Sequence, residues 1–197
     1  MLGVVGVLFY FLHILLGRIN YPGYDALKQA VSDLTAANAP SREIASSLST
    51  VYAIFTAAAC IVLCIFFQEK EQKTFRIGIY LFTIMQWLSA VGYSLFPLSD
   101  SGFSGEFQDV MHMVVTAFVV PLSIASMILI AISCLKGKEH KGFGVLTIIV
   151  LALMAIGSIG TGIVPPEYFG VPERISVYSV VIYTGMLSVF AFSMSEQ

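Results

Sequence analysis

The sequence predicts an all-α fold, namely an integral membrane six-helix transmembrane bundle with a short amphipathic extracytoplasmic helix. Of the 197 residues, 57% are hydrophobic and only 11% are charged. The mean hydropathy of +0.88 lies outside the range of soluble globular domains. About six apolar runs approach the roughly 20 residues that a helix needs to cross a bilayer. The connections between them are too short for a second domain, so residues 1–197 form a single transmembrane domain.

Short polar segments separate the apolar runs and set the approximate bounds of the spans. The first run lacks the positively charged start and the cleavage site of a signal peptide, so we keep it as a span. In the fifth run, pairs of small residues predict close helix contact and a central position in the bundle. The predicted spans are residues 2–18, 45–67, 77–96, 110–135, 143–164 and 175–194.

Charge predicts the orientation and excludes one class of partner. Lysine and arginine are enriched in cytoplasmic loops, which predicts that both termini are cytoplasmic. The net charge of −2 and the absence of a basic run exclude nucleic acid as a partner. The basic residues of the two predicted cytoplasmic loops are Lys70, Lys73, Arg76, Lys136, Lys138 and Lys141.

The longest polar stretch, YPGYDALKQAVSDLTAANAP, occupies residues 21–40. Pro22 and Gly23 end the first span, and apolar residues then recur at helical spacing. This pattern predicts an amphipathic helix over residues 24–37. Such a helix either caps the bundle at the interface or forms a lid over a polar pocket, and both alternatives stay open.

Two ionisable residues occur near the start of the fourth span. Asp109 and His112 are three residues apart, which places them on one face of a helix. An ionisable residue inside a span is a functional hypothesis by default, because burying it without a partner is costly. The alternatives are that Asp109 only orients His112, or that His112 bonds to a neighbouring helix.

Glu173 and Arg174 lie at the start of the sixth span. The planar guanidinium of Arg174 matches a phosphate or a carboxylate, and it could equally pair with an acid of the same side. A zinc site would be chemically possible if His13 met His112 beside an acid. The candidate acids are Asp33, Asp100 and Asp109.

Three motifs give the chain a family resemblance. They are YPGYDALKQAVSDLTAANAP after the first span, FPLSD followed by HMVVTAFVVP across the fourth, and FGVPERI before the sixth. In these motifs and their order the chain resembles the bacterial family of six-span proteins called domain of unknown function 998. The VSDLTAANAP element is also distantly similar to the damage-regulated autophagy modulator family. The resemblance implies a bacterial plasma membrane protein and supplies no reaction.

The recurrent family positions all fall on the predicted extracytoplasmic side. PLSD stands where the family commonly has PTD, which shifts Asp100 by one residue. The resemblance favours a pocket lid for residues 21–40, because a cap has no need of polar residues at positions 32 and 33. The matched positions are Tyr24, Ser32, Asp33, Pro97, Asp100, His112, Glu173 and Arg174.

Two functions fit these residues best. The first is a pocket that recognises a lipid head group or another amphipathic ligand. The second, an outer-leaflet hydrolase or transferase, would use His112 as base, Asp109 or Asp33 to orient it, and Ser32 or water as nucleophile. The residues of the predicted binding pocket are Tyr24, Lys28, Asp33, Asp100, His112, Glu173 and Arg174.

Other classes stay open. A small transporter lacks the expected internal repeat and midplane charge, and a structural subunit would bind a membrane protein partner or form a homo-oligomer. The expected partners are membrane lipids, and no cofactor is expected unless zinc binds. The sequence does not decide whether the protein is an enzyme.

Overall fold

The computed structural model describes residues 1–137 and 139–196, and these form an α-helical bundle without strands. Each of the six long helices is long and apolar enough to cross a membrane, so the predicted six-span bundle is confirmed. Lys138, one of the predicted loop cations, lies outside the described residues. The helices are α1 Leu2–Ile19, α2 Arg42–Phe67, α3 Lys73–Leu95, α4 Phe107–Lys136, α5 Lys141–Gly160 and α6 Gly170–Ser195.

The helices are longer or shifted at their polar ends relative to the predicted spans. Helices α2, α3, α4 and α6 each begin three to five residues before the predicted start. Backbone hydrogen bonding continues into the polar turn that flanks each apolar run, and hydropathy does not report that turn. Helix α5 ends at Gly160, because residues 161–164 form turns.

The six helices form a closed ring in chain order. Each helix packs on its sequence neighbours, α1 packs on α6 to complete the ring, and α2 also touches α6 across the middle. Short connections favour such antiparallel neighbours. The apolar interior is filled by large side chains, among them Phe67, Phe75, Phe82, Met127 and Tyr183. Loops 20–41, 96–106 and 161–169 therefore meet on one side of the bundle.

Helix α5 approaches α6 closely, as its small residues predict, but its predicted central position is wrong. Gly157 lies against the backbone of Ser176 and Pro172, and the Ser158 and Ser176 hydroxyl oxygens are 2.8 Å apart. The extensive contacts of α5 are with α4 and α6 alone, as its place in the ring requires. Its other face exposes large apolar side chains such as Ile156, which a bilayer would cover.

Replacing Gly157 by alanine should separate α5 from α6. A Cβ at residue 157 would lie 2.6 Å from the Pro172 carbonyl oxygen and closer still to the Ser176 nitrogen, and backbone atoms cannot rotate away. We expect thermal unfolding in detergent to show a loss of about 1–3 kcal/mol, typical of overpacking. Gly142→Ala is the matched control on the same helix, because its Cβ would meet nothing within 4 Å. Equal stability of the two variants would contradict the close approach.

Residues 21–40 do not form the predicted amphipathic helix. They consist of turns and a single 3₁₀ turn at Ser32–Thr35. Local side chains compete with helical hydrogen bonds, as where Asp25 Oδ1 accepts from the Leu27 N–H at 2.9 Å. The helical spacing of the apolar residues instead places Val31 and Leu34 against α1 and α2, where both are buried. We call residues 21–40 the connecting segment.

Candidate functional site

The connecting segment is bonded at both ends to other parts of the chain. The Ala37 and Asn38 N–H groups donate to the carbonyl oxygens of Leu98 at 2.7 Å and Ser99 at 3.2 Å. At its other end, the N–H of Gly170, the first residue of α6, donates to the carbonyl oxygen of Leu27 at 2.8 Å. The connecting segment, the 96–106 loop and the start of α6 therefore form one hydrogen-bonded layer over the bundle.

Arg174 anchors the connecting segment to α6. Its Nη1 donates to the carbonyl oxygens of Ala26 and Gln29, both at 2.7 Å, and to that of Gly170 at 2.8 Å. Its Nη2 donates to the Tyr24 hydroxyl. These acceptors are neutral, so Arg174 does not form the salt bridge with an acid of the same side, one of the two alternatives that the sequence left open. Its charge has no carboxylate partner within ion-pair distance among the described residues.

Tyr24 joins the same anchor from the connecting segment. Its hydroxyl donates to the Ala30 carbonyl oxygen at 2.6 Å, and its ring centre lies 5.7 Å from the Arg174 guanidinium carbon. Burial raises the pKa of the Tyr24 hydroxyl well above its usual range, which keeps it a neutral donor. The side chain is half-buried, and its exposed part faces the outer surface of α1.

Asp33 ties the connecting segment to the 96–106 loop. Its carboxylate accepts from the Ala30 N–H at 3.1 Å, the Ser101 hydroxyl at 3.1 Å and the Gly102 N–H at 3.2 Å. Burial raises the pKa of the Asp33 carboxyl, and these hydrogen bonds together with the charge of Arg174 oppose that rise. Both oxygens are thus used within the protein, as expected for a structural carboxylate.

Glu173 bonds to the connecting segment with only one of its oxygens. Oε1 accepts from the Val31 N–H at 3.2 Å. Oε2 is enclosed and has no hydrogen-bond partner among the residues that the structure describes. One oxygen of Glu173 therefore holds the connecting segment, and the other is enclosed within the protein.

Asp109 organises the 96–106 loop and does not bond to His112. Its Oδ1 accepts from the N–H and the hydroxyl of Ser99, both at 2.8 Å, and its Oδ2 accepts from the N–H of Ser104 at 2.8 Å and from its hydroxyl. The side chain is fully buried. Asp109 is thus the bonding centre of a tight loop, and the prediction that it orients His112 is not matched by a contact.

The two histidines of the predicted site bond to different parts of the chain and not to each other. His112 Nδ1 is 2.9 Å from the Phe96 carbonyl oxygen, and its ring packs on Tyr93 at 4.6 Å between centres. His13 Nδ1 is 3.1 Å from the Tyr10 carbonyl oxygen on its own helix. A carbonyl only accepts, so each Nδ1 carries the proton. Helix α4 continues through Pro121 below His112.

The remaining predicted site residues are not drawn into one pocket. Ser32 uses its carbonyl to accept from Thr35, Lys28 is exposed, and exposed Asp100 accepts from the adjacent Ser101 N–H. In the described part of the chain, no three His, Cys, Asp or Glu side chains are grouped to hold a metal ion. No hydrogen bond joins a hydroxyl to a histidine side chain in that part of the chain, and the Ser32 hydroxyl is not bonded to His112.

A groove that the sequence did not predict opens on the outer surface of the bundle at the end of α1. Its volume is about 530 Å³, within the range of small-molecule sites. Ile14 is buried at its base, whereas Leu15 is 56% exposed and Ile19 is 69% exposed, so the groove faces the surroundings. The lining residues are Phe11, Ile14, Leu15, Arg18, Ile19 and Tyr24.

Arg18 gives this apolar groove a charged end. Its side chain is exposed, and it has neither a hydrogen-bond acceptor nor an ion-pair partner among residues 1–137 and 139–196. Tyr178 of α6 borders the groove, with its ring 5.3 Å from that of Phe11, and lies within electrostatic range of both Arg18 and Arg174. Sequence signals existed for this site, since Leu15 and Arg18 are three residues apart on an apolar helix, but Arg18 was not among the predicted site residues.

A second groove lies on the opposite flank of α1. Its volume is about 460 Å³, and Leu16, Ile44 and Leu48 supply apolar side chains between α1 and α2. Its charged residue is Glu43, a carboxylate. The two grooves at the end of α1 therefore differ in the sign of the charge that each presents.

Fold and site together define a six-span membrane bundle in which the connecting segment, the 96–106 loop and the start of α6 are bonded into a layer on one side. The sequence profile of a family described as "protein of unknown function (DUF998)" matches residues 4–190. The chain therefore belongs to the DUF998 family. No curated protein and no solved structure matches the chain, so its similarity to the damage-regulated autophagy modulator family stays a prediction.

Proposed function

We propose that this protein binds an amphipathic lipid in the groove at the end of α1, with the acyl chains along α1 and the head group at Arg18. The observation that supports this proposal most strongly is the pairing of apolar walls with a partnerless guanidinium at one end. Amphipathic ligands have the same division into an apolar and a polar part. The groove also opens outward, where lipid tails would surround the bundle.

The hydrogen-bonded layer argues for a site beside the connecting segment rather than beneath it. Arg174, Asp33 and Asp109 each use their polar atoms to hold loop backbone, so opening a pocket beneath the segment would break many hydrogen bonds to charged groups. Such bonds contribute about 1.5–3 kcal/mol each. A ligand in the outer groove requires none of them to break. The connecting segment then contributes Tyr24 as a fixed wall.

The proposal is tested by filling the groove. We expect Leu15→Trp to lose the lipid that wild-type protein retains after extraction in mild detergent, as seen by native mass spectrometry. The exposed position lets the larger side chain be accommodated without disturbing the core. Leu12→Trp is the matched control, because Leu12 is on the same helix, is 41% exposed and does not line the groove.

The outcome is interpreted from the difference between the two variants. Loss of a discrete lipid adduct in Leu15→Trp together with its retention in Leu12→Trp would support the groove. Equal retention in wild type and both variants would contradict the proposal, as would a wild-type protein that carries no lipid in lipid-supplemented detergent. Thermal unfolding of each variant checks that the fold is kept.

A further inference from the structure

We propose that the lipid in this groove is a phospholipid whose head group carries a net negative charge, bound through its phosphate by Arg18 with Arg174 behind it. This inference rests on the proposed function and adds the chemical class of the head group. Three observations support the inference: the charges around the groove, the bonding partners of these charges, and the position of Glu173 beside Arg174.

Arg18 is the charged side chain that lines the groove. It lies at the polar end, and its guanidinium donates to no described residue. A guanidinium presents a planar fork of donors that matches phosphate oxygens, and it is always charged in proteins. A phosphate at this position would supply the acceptors that the protein does not.

A second guanidinium, that of Arg174, lies behind the groove. Arg174 packs on the far side of Tyr24 and is bonded only to carbonyl and hydroxyl oxygens, so no carboxylate within ion-pair distance neutralises it. Arg18 and Tyr24 both line the groove, and Arg174 donates to the Tyr24 hydroxyl, so the two positive charges lie at the same end of the groove. Two such charges favour an anion and disfavour the ammonium of a zwitterionic head group.

Glu173 is the acid next to Arg174 in the chain. Its Oε1 accepts from the Val31 N–H and its Oε2 is enclosed, so neither oxygen is presented to the groove. The exposed acids Asp25 and Glu43 on this side of the bundle are not among the lining residues of this groove. The charged side chain that lines the groove is therefore the positive Arg18.

The test compares lipids that share their tails and differ in the head group. Delipidated protein is incubated with equal amounts of dioleoyl phosphatidic acid, dioleoyl phosphatidylcholine and dioleoylglycerol, and retained lipid is measured by native mass spectrometry. We expect phosphatidic acid to be retained about tenfold over phosphatidylcholine, as one charge-assisted contact implies. Dioleoylglycerol, which lacks the phosphate, should be retained least.

Two arginine variants locate the preference. Arg18→Gln should bring the three lipids close to parity, whereas Arg42→Gln should leave the preference unchanged. Arg42 is the matched control because it is exposed on the same side and lines neither groove. Neither side chain is buried, so both variants should fold.

Each outcome separates this inference from the proposed function. Equal retention of all three lipids, lost in Leu15→Trp, would keep the groove and overturn the anionic class. Equal retention of phosphatidic acid and phosphatidylcholine over dioleoylglycerol would likewise overturn the requirement for net charge. A preference reduced equally by Arg42→Gln and Arg18→Gln would show diffuse attraction and overturn the site. Retention that Leu15→Trp leaves unchanged would contradict the proposed function itself.

Discussion

Arg174→Ala is expected to lower the free energy of unfolding by about 3–5 kcal/mol, among the largest effects of any single substitution in this chain. The variant removes a charged donor from three carbonyl oxygens and a tyrosine hydroxyl at once. The connecting segment should then detach from α6. Thermal unfolding in detergent measures the loss, and trypsin cleavage after exposed Lys28 reports the detachment.

The control for this prediction is another arginine of the same side. Arg42 is exposed and donates a single hydrogen bond, to the Ala37 carbonyl oxygen at 3.1 Å. Arg42→Ala should cost less than about 1 kcal/mol and should leave cleavage after Lys28 slow. If Arg174→Ala proved no more harmful than Arg42→Ala, the anchoring role of Arg174 would be refuted.

Asp109→Ala is expected to have an effect of similar size, about 3–5 kcal/mol, through a different loop. The fully buried carboxylate accepts from the N–H and the hydroxyl of both Ser99 and Ser104. Its removal takes the charged acceptor from four donors at once, and hydrogen bonds to charged groups contribute more than neutral ones. Thermal unfolding measures the loss, and hydrogen exchange at residues 99–104 should rise.

Two further variants give this prediction its controls. Asp100→Ala changes an exposed neighbour whose carboxylate accepts only from the Ser101 N–H, so it should change stability by less than about 1 kcal/mol. Asp109→Asn keeps one acceptor oxygen and should fall between the two. A loop that exchanges equally in Asp109→Ala and Asp100→Ala would contradict the bonding described for Asp109.

The membrane spans were predictable because the bilayer imposes a simple rule on the chain. Every backbone group inside lipid needs an internal partner, so each long apolar run becomes a helix. The rule reports where a run is apolar and not where helical bonding ends. The predicted bounds therefore missed the polar first turns of α4 and α6, which begin at Phe107 and Gly170.

The connecting segment was mispredicted because its periodicity had a different cause. Val31 and Leu34 are buried as a helical pattern would bury them, but a 3₁₀ turn and long-range bonds to residues 98–102 and 170–174 hold them there. Those partners lie far away in the chain. No local pattern contains the information that they compete with an α-helix.

The bonding of the polar side chains could not be predicted from the sequence. Asp109 and Arg174 were identified from their position at span starts, where charge stands out against an apolar background, and Asp33 from the family resemblance. Sequence cannot show what a side chain bonds, and all three proved to hold loop backbone. Arg18 was not among the predicted site residues, because the lack of a partner is visible only in the folded chain.

Site-specific photocrosslinking tests the central claim most directly, namely that the groove at the end of α1 holds lipid. A benzophenone side chain is placed at Phe11, a groove-lining position that already carries an aromatic ring, or at Ile156 on the exposed face of α5, in protein embedded in a bilayer of mixed phospholipids. The account predicts that position 11 captures anionic phospholipid in excess of its share of the bilayer, whereas position 156 captures lipids in proportion to their abundance. Proportional capture at both positions would contradict the account, because residue 11 would then meet only bulk lipid.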